Sequence, residues 1–393
     1  MRTQNQRVMQ PVLNGTALIA VALLFALSAS MALGQATRLD CAFVNVADSA
    51  QGFSGLSRFP AINNRGEVAF IANKVGSGQG VFKWEEGRSK TIASSSNLNS
   101  FGDDVAINSA GVVGYDAALT NSANDRAIFT SNGSWTRMIV DANQQGFVGH
   151  FLGSPSINDW GTVAFFAFRK DFSEAVFTGD GGALTTVADT ANATFSGFGN
   201  AAINNYGQLA FSATREDGSQ GVFIAARVED QAADDAKPKR LWTIRAVTDP
   251  QNPLFADPLA QFGDPVINEA GLVADDGFFS NHLEIFTGNT RRVTARTDPD
   301  SSFFTSSEHP SVNDRGVVAF SANELSGREG VFVELSGGAS PIGVIETGDA
   351  LFGSIVTGLD LGRFALNDRD QLAFHYDLQD GRSGVAILSL KQK

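Results

Sequence analysis

The sequence predicts an all-β fold: a seven-bladed β-propeller of four-stranded blades, with the last blade completed by the N-terminal strand. Three observations carry this. One phrase recurs seven times, an apolar residue, Asn, two residues, Gly or a substitute, then a short apolar-aromatic strand, with the asparagines at Asn63, Asn108, Asn158, Asn204, Asn268, Asn313 and Asn367. Successive asparagines lie 45, 50, 46, 64, 45 and 54 residues apart, a period that suits one small sheet per repeat. Finally, the last unit ends before a fourth strand, while Ala42–Asp48 near the other end resembles the fourth strand of the third unit, Leu184–Asp189. Pairing the two closes the ring and leaves no sheet edge at the seam.

The chain opens with Arg2 and Arg7, an apolar run from Ala17 to Leu27, and then small residues. That order describes a secretory leader, so residues 1–36 are expected to be a signal peptide and 37–393 a single propeller. The apolar run is short for a membrane span. Export places the protein outside the cytoplasm, secreted or periplasmic, with no membrane span in the mature chain. Cys41 is the single cysteine, so no internal disulfide forms. Asp40 before it spoils a lipid-attachment pattern. No C-terminal anchor is expected.

The third unit shows how a blade is built. A strand ends at Ser156-Ile157, Asn158-Asp159-Trp160-Gly161 turns the chain, and Thr162–Ala167 returns as the next strand. Two further strands begin at Ala175 and Leu184, making four in antiparallel order. In the turn, the Asn side chain can bond the backbone two residues on, and Gly supplies positive φ without a Cβ clash. Gly holds that place in six units and Asp370 in the seventh, a residue type that tolerates left-handed backbone. These Asn and Gly residues are turn builders, not ligands.

The apolar positions follow the same register. Phe70, Tyr115, Phe165, Phe211, Phe320 and Phe374 each lie seven residues after their Asn, and Phe82, Phe129, Phe177, Phe223, Phe286 and Phe332 start the third strands. Phe is abundant, at 31 residues, against 4 Trp and 3 Tyr. Each buried Phe stabilises by about 1.5–3 kcal/mol. Two exceptions stand out: Ala386 replaces the last third-strand Phe, and Asp275 replaces an aromatic in unit five. A buried carboxylate is costly unless satisfied, so a shifted register in that blade is expected, the rival being a polar channel beside Asp275. The charged segment Arg227–Lys239 is expected to extend a surface hairpin between the third and fourth strands of unit four.

The formal net charge is −13, and loss of Arg2 and Arg7 with the leader would take it to −15. Such a surface repels nucleic acid. Candidate chemistry is sparse. Asp48, Asp141, Asp189, Asp249, Asp298 and Asp349 follow fourth strands, where a strand-end cap is the plain reading and a cation or sugar contact the sharper one. Calcium is the metal such oxygens would hold, although no cofactor is predicted. Four histidines, His150, His282, His309 and His375, form no metal-spaced pair. His150 and His309 fall on crossings between blades. The face candidates are therefore Asp141, His150, Asp189, Asp249, Asp298, His309 and Asp349. The chain contains no Gly-x-Ser-x-Gly elbow and no phosphate loop.

The phrases Ile62–Phe70 and Ile203–Phe211 resemble the NxxGxxxAF tandem-repeat proteins, with the likeness running over residues 41–390. The resemblance implies an exported or surface-associated bacterial protein. It transfers no catalytic residue, because the shared positions are turn and core positions. The expected function is an exported binding module for a cell-envelope glycan or protein, monomeric, and more an interaction protein than an enzyme. The alternatives are a polysaccharide hydrolase or lyase with a central polar cleft, and a structural envelope protein. A deep central pocket with convergent Asp, Glu, Arg or His would favour the enzyme. A flat face rimmed by Phe147, Phe198, Phe303 or Phe304 would favour binding.

Overall fold

Alternating apolar strands joined by Asn-x-x-Gly turns fold into seven antiparallel sheets. The computed structural model describes residues 39–391 apart from Asn97, 120–124, Gln145, 230–239, 249–254, 280–282, 298–302, 307–308, Leu325 and 336–339. The signal-peptide expectation therefore lies outside the described residues. So do Asp249, Asp298, His282, and the side chains of His150, Phe303 and Phe304.

The third blade has Phe147–Leu152 and Ser156–Ile157 on the inside, then Val163–Arg169, Glu174–Gly179 and Thr185–Asp189. The seventh takes Ser354–Leu366, Gln371–Leu378 and Ser383–Leu390 from the end of the chain and Cys41–Asp48 from its beginning. Cys41 pairs with Leu390 and Asp48 with Gly384, so the N-terminal strand completes the last blade as the repeat predicts. First strands of successive blades contact one another in an unbroken circle around the axis.

Aromatic spacing becomes aromatic stacking. Phe70 faces Phe82 across the second and third strands with ring centroids 5.6 Å apart. Tyr115–Phe129, Phe165–Phe177, Phe211–Phe223 and Phe320–Phe332 repeat the pair at 5.6–5.9 Å. In the seventh blade Ala386 faces Phe374, and Phe43 of the N-terminal strand meets the Phe374 ring edge-on at 6.3 Å.

Blade five corrects one expectation. Asp275 pairs with Phe286, the position Phe70 holds against Phe82, so the register has not shifted. Phe255, Phe262, Phe279 and Phe286 form their own cluster beside it. Extra aromatics from the preceding connection thus supply the apolar mass that Asp275 does not. In blade four, Gln220–Glu229 pairs with Arg240–Ala246 in the same sheet, while residues 230–239 of the charged segment lie outside the described residues.

Candidate functional site

The turn asparagines form the first layer around the axis. Each carboxamide Oδ1 accepts backbone N–H groups of its own turn, as Asn158 does from Trp160 and Thr162 at 3.2 and 2.9 Å. Each Nδ2 donates to the backbone oxygen of the Asn in the next blade. The series runs Asn63 to Asn108, Asn158, Asn204, Asn268, Asn313 and Asn367 at 2.9–3.2 Å, and Asn367 returns to Asn63 at 2.8 Å. All seven asparagines are buried. Buried amides are stable only when bonded, and this ring satisfies them. The Gly that closes each turn has φ between +71° and +84°, and Asp370 adopts +56° in its place.

The residue after each Asn builds a second layer on the same face. Asp159, Glu269, Asp314 and Asp368 accept the N–H of the equivalent residue one blade earlier, at 2.7–2.9 Å for Ser109, Asn205, Glu269 and Asp314. They rim a vestibule of about 240 Å³ floored by Ile62, Ile107, Ile157, Ile267, Val312 and Leu366. Burial raises the pKa of Glu269 and of Asp314, and neighbouring carboxylates add to the rise.

At the other end of the channel the first strands break. Register is lost between Phe101 and Val105, Phe198 and Ala201, and Leu361 and Leu366, and in blades one, three, five and six the first strand is split in two. A bulge of this kind re-aims a side chain. The residue four before each Asn sits at the break: Phe59, Asp104, Ser154, Asn200, Asp264, His309 and Arg363. A Cβ on Gly102, Gly199 or Gly263, just before these residues, would overlap Asp116, Ser212 or Asp276 of the second strand. Glycine there lets the first strand fold over its neighbour.

Neighbours in this set bond across blades. Ser154 Oγ donates to Asp104 Oδ2 at 2.5 Å and Ser154 N to Asn200 Oδ1 at 2.8 Å. Asn200 Nδ2 donates to Asp264 Oδ2 at 2.8 Å. Arg363 reaches from blade seven past blade six, donating Nη2 to the Pro265 oxygen of blade five at 3.0 Å. The Phe59 and His309 rings meet edge-on at 4.9 Å, joining blades one and six. His309 is buried and has φ +106°. Beneath this level Phe364 packs against the cluster between blades two and three that contains Ala106 and Ile157. It thereby reaches from blade seven across to blades two and three.

The charges here are unevenly matched. Arg363 is 3% exposed, and its Nε and Nη1 have no hydrogen-bond partner. Asp275 is 0% exposed; its Oδ1 accepts from Asp276 N and its Oδ2 is unpartnered. Burial pushes the Asp275 pKa well up, the carboxylates of Asp276 and Asp264 push it further, and the Arg363 charge opposes them. In blade two, Asp116 is paired with Arg126 through Oδ2, yet burial still raises its pKa. The level therefore combines a guanidinium with spare donors, half-buried carboxyls at Asp104 and Asp264, and neutral hydrogen-bonding groups at Ser154 and Asn200.

Of the sequence candidates, His309 is the described residue whose side chain belongs to this level. Asp141 accepts the N–H of Asn143 at 3.0 Å, and Asp349 that of Glu346 at 3.0 Å. Asp189 accepts from Asn192 Nδ2 at 2.8 Å. They stand at the outer strands of three different blades. Phe147 and Phe198 are buried in the core and rim no flat face. Among the described residues no group of three or more His, Cys, Asp or Glu is placed to hold a metal ion, and no helix is long and apolar enough to cross a membrane. Reading by strand and turn type passed over the column four before each Asn. Its signal was a polar residue recurring inside an apolar strand, preceded by Gly in several units.

A closed seven-bladed propeller with a polar level along its axis is the class this architecture defines. Residues 28–224 match a family of unknown function, DUF7453, and the chain belongs to that family. A search of curated proteins by sequence finds no match. Among solved structures, the chain is similar to the oligogalacturonate lyase of Vibrio parahaemolyticus, with 11% identity and a TM-score of 0.56, covering 91% of this chain and 99% of that one. It is also similar to prolyl oligopeptidase B of Galerina marginata, with 10% identity and a TM-score of 0.52. There the match covers 83% of this chain and 48% of the peptidase, so the chain spans about half of that protein. The expectation that the chain is more an interaction protein than an enzyme is corrected by these comparisons, because the two structures of similar fold are a lyase and a peptidase. The repeat resemblance is retained only at the level of a seven-bladed propeller of unknown function.

Proposed function

We propose that the chain acts on an extracytoplasmic polysaccharide as a hydrolase or lyase, with its reaction centre at the polar level above Phe364. The observation that carries this is the convergence of Arg363, Asp264, Asp104, Ser154, Asn200 and His309 from separate blades, with two guanidinium nitrogens of the buried Arg363 left without a protein partner. Desolvated guanidinium donors suit a carboxylate or a developing oxyanion, held in a fork. Half-buried carboxyls at Asp104 and Asp264 suit proton transfer. The lyase of similar fold, matched over nearly its whole length, carries oligogalacturonate in its name, and a uronic-acid carboxylate is a group that Arg363 would hold. In an elimination the proton beside that carboxylate is removed, the adjacent carbon–oxygen bond to the leaving sugar breaks, and the leaving oxygen takes up a proton. In hydrolysis water completes the cleavage instead.

The test is a panel of neutral and uronic-acid polysaccharides incubated with the protein, read for new reducing ends and for the ultraviolet absorbance of an unsaturated product. Turnover is expected on at least one, and is expected to fall about a hundredfold or more in Arg363→Met and Asp264→Asn with unchanged thermal unfolding. Absence of turnover on every substrate, or full activity in both variants, defeats the proposal. Unsaturated product identifies a lyase, and reducing ends without it a hydrolase.

A further inference from the structure

In a scaffold that repeats, departures from the repeat mark where selection has acted on something besides packing. Three departures fall at one place. The turn position two residues after each Asn holds Arg65, Ala110, Ala270, Arg315 and Arg369 in five units, but Trp160 and Tyr206 in the adjoining blades three and four. The third and fourth strands of blade four, Gln220–Glu229 and Arg240–Ala246, form a lengthened pair. That pair places Arg227 directly opposite Trp242, with the guanidinium 4.9 Å from the ring centre.

The three departures line one cleft of about 410 Å³, within the range of small-ligand sites. Trp160 is 80% exposed and Tyr206 77%, the two most exposed aromatic side chains among the described residues. Neither contributes to the core, whereas Tyr115 and Tyr376 are fully buried. The Trp160 ring is held in place: its Nε1 donates to the Asn205 oxygen at 2.9 Å. Trp242, Thr162 and Thr178 also face the cleft. Fixed indole and phenol rings offer apolar faces at little entropic cost, and exposed aromatic faces not needed for packing mark binding sites.

We infer that this cleft is a carbohydrate-binding site for a neutral, pyranose oligosaccharide, separate from the channel. The C–H face of a pyranose covers an aromatic ring while its hydroxyls, pointing sideways, reach Thr162, Thr178 and Arg227. The Asp159 carboxylate, beside Trp160 and bonded to Asn205 Nδ2 at 2.9 Å, disfavours an acidic sugar at this ring, and the Arg227 guanidinium is already engaged over Trp242. The site rests on its own residues and stands whether or not the channel is catalytic.

Calorimetric titration of the full protein with cello-, xylo-, laminari- and chito-oligosaccharides tests this, with a proline-rich peptide as the competing aromatic-groove ligand. At least one sugar is expected to bind, and Trp160→Ala and Tyr206→Ala are each expected to weaken it by about tenfold or more. Trp135→Ala, at an exposed Trp outside the cleft, is expected to bind as the wild type does. No sugar binding, binding of the peptide alone, binding indifferent to both cleft variants, or binding lost equally in Trp135→Ala overturns the inference. All of these variants change exposed side chains, so loss of fold does not confuse the result.

Discussion

Asn367 Nδ2 donates to the backbone oxygen of Asn63 at 2.8 Å, across 304 residues of sequence. This bond closes a circle of seven amides, each serving its own turn through Oδ1 and the next blade through Nδ2. The turn motif is thus also the fastening between blades. Asn367→Asp keeps the turn acceptor and removes the donor, so the Asn63 oxygen keeps only the Gly66 N–H and faces a carboxylate oxygen in a buried layer. A loss of about 1–3 kcal/mol is expected. Urea unfolding of the two proteins measures it, and coincident midpoints would rule it out.

The seam has a second fastening in the N-terminal strand. Cys41–Asp48 supplies the outer strand of blade seven, and Phe43 covers Phe374. A chain beginning at Ser49 exposes the edge of Ser383–Leu390, an invitation to pair with other copies. It is expected to elute as aggregates and to lose its cooperative unfolding. Monomeric elution with an unchanged midpoint would show that the strand is dispensable.

Asp275 makes stability depend on pH in a definite direction. Its folded pKa lies well above the ordinary 3.8, so the folded protein favours the protonated form. Below the unfolded pKa the carboxyl is neutral in both states and costs nothing through ionisation. As pH rises from about 4 toward the folded pKa, the unfolded state ionises first and stability is lost. Asp275→Asn removes that dependence. The variant's stability relative to wild type is therefore expected to improve as pH rises, read by denaturation at several pH values. A constant difference across the series would mean that Asp275 does not titrate as described.

Gly263 precedes Asp264 at the break in the first strand of blade five, and a Cβ there would overlap the Asp276 carboxyl. Gly263→Ala is expected to cost about 1–3 kcal/mol, the usual range for overpacking, and to reduce channel activity by more than Asp276→Ala does. Denaturation and turnover measured together check this. Full stability and activity in Gly263→Ala would show that the bulge has no part in aiming Asp264.

Blade count, turn chemistry, stacking and ring closure were legible because each is written locally and then repeated. An Asn, a Gly three residues on and a Phe seven residues on make a hairpin with any neighbour of the same kind. Asp370 could be read as a left-handed residue for the same reason, and its φ of +56° agrees. Asp275 was misread because the sequence showed the missing aromatic but not that Phe255 of the preceding connection and Phe279 just beyond the strand would cover the gap. The polar channel level was overlooked altogether. Its members come from seven blades, and what joins them is a bulge that turns one side chain inward at the same depth each time.

The sequence by itself determined the architecture: seven similar sheets, their order, and the strand that locks first to last, because hydrophobic period and turn residues act over a few positions. Only the tertiary structure decided that Arg363 would reach Pro265, that Phe364 would reach across to blades two and three, and that Trp160, Tyr206 and Trp242 would share one cleft. Those meetings depend on blade rotation and radial depth, distances set by the packing of whole sheets and not by any local run of residues.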